Sequence, residues 1–392
     1  MDIKSGEFFK NARRSGLWPD AEAIHRSSLT KARKKVPWEI FNELLQKAVN
    51  LAYELWPKKS KFLWHGMSVF ATDGSKFNLP ATEKIREKFD PESGLEYIGK
   101  GHFPQCLVST VYDVFRRLPI ARTVVSIKEA SEREEAKKLL PFVPANSVWL
   151  FDRGYPSYDL IQFLLDNFLG CFLFRCPASS TFSAVEAFIK SNKKEDIIWI
   201  APSNNFLKKI SAKDRKKCKT IRLRIIKLIS PDGTISVLLT NLYDKKRFQR
   251  RDIIELYFRR WEIEGYYRDE KVVIEIEKFH SRTINGILQE LFAAMIMTVI
   301  SRTLMVLSSE IQSEGKKEYQ FKNAIMALAS EAAVLVPDNP KKAIDIFNEV
   351  LLEISRVKYY RPKEKRPSQP RVTKWPVKKW CMNKLKRLAL NA

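Results

Sequence analysis

The 392-residue sequence predicts an α/β fold. A core of strands and helices is interrupted by a β-rich insertion and flanked by helical N- and C-terminal regions. Three observations predict this. Runs rich in β-branched and aromatic residues mix with helix signals between 68 and 168. Four more strand-like runs crowd into 170–243, and helical spacing dominates before 66 and after 252. A hydrophobic share of 45% with 29% charged residues is that of a globular chain, long enough for two or three domains.

In chain order, Pro37 opens a stretch in which Ile40, Leu44, Leu45, Ala48 and Leu51 recur at helical spacing. Residues 68–74, 103–115 and 119–127 read as strands, with Leu118-Pro119 at a turn. Ser131 followed three residues later by Glu134 is a capping box that starts a helix over 131–140. Residues 147–154 form a buried-strand run, and 156–168 a helix. The insertion strands are CFLFRC, DIIWIAP, KTIRLRIIKLI and TISVLLTNL. Helices resume at Asp252 and run to about residue 357, before a Pro-rich basic tail. The domains expected are 1–66 (helical, DNA-binding), 67–169 (first part of the core), 170–249 (insertion), 250–300 (second part of the core) and 301–392 (helical, with the tail).

The net charge is +25, which points to a polyanionic partner. It is concentrated: 208–227 carries ten Lys or Arg against one Asp, and 356–392 thirteen against one Glu. Such patches suit phosphate contact, where each neutralised phosphate releases counterions. Five cysteines without zinc-finger spacing argue against a metal finger or a disulfide scaffold. The N-terminus has no secretory pattern, and the apolar stretch 291–307 is broken by Arg302, so it reads as a buried helix and no membrane role is expected.

Two acidic residues follow apolar strands and precede glycines: Asp73 in Thr72-Asp73-Gly74, and Asp152 in Phe151-Asp152-Arg153-Gly154. Either alone could be an ordinary turn. Asp113, in the middle of a strand, reads as structural. Tyr257, Arg260, Glu264 and Lys271 are spaced by three, four and seven, which keeps one helical face, and Trp261 and Arg268 lie close to that stripe.

The Tyr257-Arg260-Glu264-Lys271 spacing, after two aspartates at strand ends, resembles the signature of the insertion-sequence-4 family of DDE transposases. The likeness extends through ATDGSKFNLP (71–80), LVSTVYDVFRRLPI (107–120), VWLFDRGYPSYDLI (148–161), LLTNL (238–242) and SQPRVTKW (368–375). It implies an RNase H-like core and a cut-and-paste transposase of the bacterial cytoplasm and nucleoid. Asp73, Asp152 and Glu264 would be catalytic, holding two Mg²⁺ ions, or Mn²⁺, because hard cations take oxygen ligands. Tyr257, Arg260, Arg268 and Lys271 would contact DNA phosphates at the transposon end. The partners implied are double-stranded DNA, as terminal inverted repeats and target, and a second copy of the chain on paired ends. The competing readings are a structure-specific RNase H-like nuclease and an inactive, transposase-derived DNA-binding protein. Some relatives stack a Trp of the insertion, near its last strand, on a flipped base; here that strand has no aromatic residue, and Trp199, far upstream, reads as a core or sheet residue.

Overall fold

The computed structural model describes residues 25–90, 103–178, 182–229, 233–311, 318–331 and 340–359, with isolated positions before 25. The basic tail beyond 359 lies outside the described residues. Two helices, α1 (Arg26–Lys35) and α2 (Glu39–Leu55), precede β1 (Ser68–Asn78). Then come α3 (Glu83–Phe89), β2 (Gln105–Asp113), β3 (Leu118–Ser126), α4 (Glu132–Leu139), β4 (Ser147–Phe151) and α5 (Tyr158–Asn167). The next stretch holds β5 (Cys171–Pro177), α6 (Ser183–Lys190), β6 (Glu195–Ile200), α7 (Asn204–Lys209), α8 (Ala212–Arg215), β7 (Ile221–Ile229) and β8 (Ile235–Thr240). The helices α9 (Arg250–Phe258), α10 (Glu262–Arg268), α11 (Ile284–Ile311), α12 (Phe321–Glu331) and α13 (Pro340–Arg356) follow.

All eight long strands join one sheet, in the order β3-β2-β1-β4-β5-β8-β7-β6. β1, β2 and β3 form an antiparallel meander, while β1, β4 and β5 run parallel. That five-strand half has the order and sense of an RNase H-like core. β8, β7 and β6 extend the same sheet antiparallel from β5.

The sheet is covered on both faces, so its strands read as nearly continuous apolar runs. Side chains alternate between two cores at the strand period of two. Phe70, Trp149, Phe151, Phe172 and Phe174 enter one, with residues of α2, α4 and α5. Val69, Ala71, Val148, Leu150 and Leu173 enter the other, with Ile253, Leu256, Ile263 and Tyr267 from α9 and α10. Burial of each such large apolar side chain contributes about 1.5–3 kcal/mol.

The serine half of the capping box forms, the Ser131 hydroxyl accepting from Glu134 N at 3.4 Å, while the Glu134 carboxylate pairs with Lys137. Asp113 is structural: fully buried, it accepts from Tyr53 Oη and Arg116 Nη1, both at 2.9 Å. α11 is long and apolar enough to cross a membrane, but over half of that stretch is buried inside the fold. Trp38 stacks on its Phe292, and Arg33 pairs with its Glu290 at 2.7 Å. Two expectations need correction. Arg224, counted within the basic run 208–227, is fully buried, its Nη2 donating to Glu195 Oε2 at 2.6 Å and its Nη1 to the Leu242 and Phe248 carbonyls. Trp199 belongs to the sheet but not to the core: alternation along β6 turns it outward, 59% exposed, while Ile198 and Ile200 turn inward.

Candidate active site at the strand ends

β1 and β4 pair in parallel from Ser68/Ser147 to Ala71/Leu150, so both approach the same end of the sheet. Val69 and Ala71 face the α9–α10 side, and the alternation puts Asp73 on that side too. Asp152 follows the last residue of β4. Each aspartate accepts the N–H of a nearby glycine: Asp73 Oδ1 from Gly74 at 3.0 Å, Asp152 Oδ1 from Gly154 at 2.5 Å. Trp149 Nε1 donates to Thr72 Oγ1 at 2.7 Å and locks the two strands together beside the first aspartate.

The helix facing them is not uniform. A 3₁₀ turn at Arg259–Trp261 separates α9 from α10, and a π-helical turn spans Asp269–Val273. Tyr267 Oη donates to the Asp73 carbonyl at 2.7 Å, with the Val108 carbonyl 3.1 Å away. Arg122 of β3 pairs with Glu270 Oε1 at 2.6 Å, donates to the Leu291 carbonyl at 3.0 Å and contacts the Tyr266 hydroxyl. These contacts pin the helix to the sheet and present Arg260, 4% exposed, to the strand ends. Arg260 Nη2 donates to Glu264 Oε1 at 2.9 Å, and its Nη1 stands 3.8 Å from Asp73 Oδ2. One guanidinium thus joins carboxylates 191 positions apart in the sequence.

Burial pushes the Asp73 carboxyl up to about 7; Arg260 opposes this, while the negative charges of Asp152 and Glu132 reinforce it. Glu132, at the start of α4, is also raised, first by burial and then by Asp152. Burial disfavours a charged Arg260, but Tyr257, Asp73, Asp152 and Glu264 more than offset it and hold the guanidinium above its ordinary range. Negative groups therefore outnumber the cation. The donors around it are oxygens, the kind that hard divalent ions take. Among the described residues, however, no three His, Cys, Asp or Glu side chains stand close enough to hold one ion. In this arrangement Glu264 engages Arg260.

The residues expected to contact DNA are distributed differently. Tyr257 is 2% exposed and lies near Arg260 and Asp152. Lys271 Nζ donates to Ser75 Oγ at 2.9 Å and to the Lys76 carbonyl at 2.7 Å, over the Phe77 ring. Arg268 is exposed and lines a separate cavity of about 780 Å³ with Arg117, Arg302 and Lys322. Sequence reasoning did not single out Glu132, Tyr155, or the Arg122–Glu270 pair. Glu132 sits among three glutamates of one helical turn, and nothing local distinguishes it from Glu134 and Glu135.

With this geometry in view, comparison with known proteins is informative. Residues 64–300 match the family described as the transposase DDE domain. Over 297 residues the chain is 24% identical to the InsG transposase for insertion sequence element IS4 of Escherichia coli strain K12, covering 72% of this chain and 62% of that protein. Over 164 residues it is 29% identical to the putative transposase InsZ of the same organism, covering 41% of this chain and 52% of that one. The chain thus spans less than two thirds of the length of either relative. A piggyBac transposase in a synaptic complex with hairpin DNA superposes with a TM-score of 0.41 at 10% identity, over 78% of this chain and 60% of that one.

Proposed function

The chain belongs to the transposase DDE-domain family, and from that premise we propose that it cleaves DNA at transposon ends and joins the freed ends to target DNA. Asp73, Asp152 and Glu264 would hold two divalent ions, Mg²⁺ or Mn²⁺. The observation that carries this reading is the single buried guanidinium of Arg260 bridging Asp73 and Glu264, with Asp152 close enough to act on both Asp73 and Arg260. Carboxylates from separate parts of the chain thus act on one guanidinium, although no three of them stand close enough to hold one ion in this arrangement.

When bound, the ions would stabilise the attacking and leaving oxygens of an in-line displacement. The chain's own residues do the rest. The carboxylates of Asp73 and Asp152 are held in place by glycine N–H groups, so little side-chain freedom is lost when they take up a ligand. Glu264 must leave Arg260 to serve as a ligand, and the freed guanidinium becomes available to a phosphate. Tyr257 and Arg260 sit deepest, so their phosphate would be the one at the reacting bond. Lys271 would take its phosphate beside β1, and Arg268, exposed on another face, would meet DNA farther from it. Double-stranded DNA and a second copy of the chain on paired ends are the partners proposed.

The test is cleavage of an end-bearing duplex with Mg²⁺ or Mn²⁺. Asp73→Ala, Asp152→Ala and Glu264→Gln should each abolish cutting while end binding survives. Normal cutting by all three variants would overturn the assignment. Nicks without joined target strands would identify a nuclease instead of a transposase.

A further inference from the structure

We propose that Glu132 is a fourth carboxylate of the divalent-cation pocket, reaching it from the opposite layer of the sheet through the gap left by Gly74. The proposal rests on the cation-binding reading above and adds a residue to it.

Alternation along β1 turns Asp73 toward α9–α10 and position 74 toward the layer that holds α4. A Cβ at position 74 would lie 2.5 Å from Glu132 Oε1 and 3.0 Å from its Cδ, so any larger residue there would displace the carboxylate. The φ of Gly74 lies outside the left-handed region, so the backbone does not demand glycine there; the neighbouring carboxylate does. Gly154, beside the second aspartate, also faces Glu132, whose Oε2 would lie 3.8 Å from a Cβ there. Arg133 holds the start of α4 in this place, its Nε and Nη2 donating to the Gly154 carbonyl at 3.1 and 2.9 Å.

Three glutamates occupy the first turn of α4, and two are neutralised locally. Glu134 pairs with Lys137 at 2.9 Å, and Glu135 with Lys138 at 2.7 Å. Glu132 makes no ion pair within 4 Å among the described residues. Lys76 and Arg133 act on it from farther away but are outweighed by burial and Asp152, and it is turned toward Asp73 and Asp152. Directing an acid at two other acids in a partly buried site is unfavourable unless a cation is to share them.

A second, independent observation points to a ligand. Tyr155 is fully buried, yet its hydroxyl has no hydrogen-bond partner among the described residues. The charged group acting on it most strongly is Glu132, ahead of Asp73 and Asp152. A buried hydroxyl is normally satisfied. An oxygen brought in by a hydrated ion at this pocket would satisfy it.

The experiment is Mn²⁺ binding by the full chain without DNA, read from the electron paramagnetic resonance signal of free Mn²⁺. Melting in EDTA serves as the folding control. Glu132→Gln should weaken binding by about 10- to 100-fold, the range for losing a group that supports metal ligands, and should not lower the melting temperature in EDTA. Gly74→Ala should weaken binding comparably, and should add nothing in a Glu132→Ala background, where no carboxylate remains to displace. Wild-type affinity in Glu132→Gln, with loss in Asp73→Asn and Asp152→Asn, overturns this proposal and leaves the three-carboxylate reading intact. Additive losses from Gly74→Ala and Glu132→Ala also overturn it. Unchanged binding in all the carboxylate variants, or none by the unsubstituted chain, sinks both.

Discussion

Two buried arginines lie where the sheet meets the helical segment 250–273, Arg122 on β3 and Arg260 on the segment itself, and they are paired in opposite ways. Arg122, with a fully buried side chain, faces one carboxylate, Glu270, also fully buried. Positive and negative balance, and the Tyr266 hydroxyl and Leu291 carbonyl add further contacts. Arg260, ten positions before Glu270 on the helical segment, faces Asp73 and Glu264 directly, with Asp152 within reach and Glu132 acting on Asp73. Here the negative groups are in excess. The first cluster fastens the helix to the sheet. The second is electrostatically incomplete and owes that to its neighbours, not to poor packing. The difference teaches that a buried ion pair is read by its charge balance: a balanced pair acts as a structural joint, an unbalanced one as a place for a further cation.

Three variants test that contrast, in order of expected effect. Glu270→Ala strips the balanced cluster of its anion and leaves Arg122 buried and uncompensated. A loss of roughly 3–5 kcal/mol is expected in denaturant melts. A loss no greater than that of a surface substitution would break the comparison. Asp73→Asn relieves the unbalanced cluster, and here pH gives the sign. With its folded pKa raised to about 7 from 3.8, Asp73 binds its proton more tightly folded than unfolded. Its own contribution to metal-free stability is therefore most favourable below about pH 4 and declines as pH rises toward 7. Asp73→Asn should be more stable than the parent at pH 8, by roughly 1–4 kcal/mol at ~1.4 kcal/mol per unit. The advantage should vanish by pH 4, and equal melting temperatures at pH 8 would contradict it. The smallest effect belongs to Arg251→Ala. Its ion pair with Glu255, at 2.8 Å on α9, is solvated on both sides. The melting temperature should not move measurably, because exposed pairs contribute little. A clear drop would show that exposure, and not charge balance, had been misjudged.

Much of this architecture is legible in the sequence. Doubly covered strands such as SVWLF and CFLFRC are continuous apolar runs, and Ser131-Glu134 marks its helix start unambiguously. The two aspartates are legible because each follows an apolar run, although β4 ends just before Asp152 whereas β1 continues past Asp73 to Asn78. Other features have no one-dimensional trace. The 3₁₀ and π turns that bracket α10 interrupt a smooth helical spacing, so Lys271 looks like a member of the Glu264 stripe although it is tied to Ser75 and Lys76. The helices α6, α7 and α8 lie within what reads as a strand-rich stretch, and α3 is too short for a periodic pattern. Glu132 shows least of all: its partners lie 59 positions before it and 20 after it, and only the sheet brings them near.

The unbroken ladder from β4 to β6 has a geometric consequence. Adjacent strands are spaced at about 4.8 Å, and β5, β8 and β7 stand between β4 and β6. The lateral offset between the strand that ends at Asp152 and the one that bears Trp199 is therefore roughly 19 Å, set by backbone hydrogen bonds. The lysine-rich segment 208–219, which includes α8, emerges between β6 and β7 but returns toward α5, where Tyr158 Oη donates to the Lys219 carbonyl at 2.6 Å and Gln162 Nε2 to the Lys217 carbonyl at 2.9 Å. The sheet works as a ruler, and any long ligand gripped at both places must match its length.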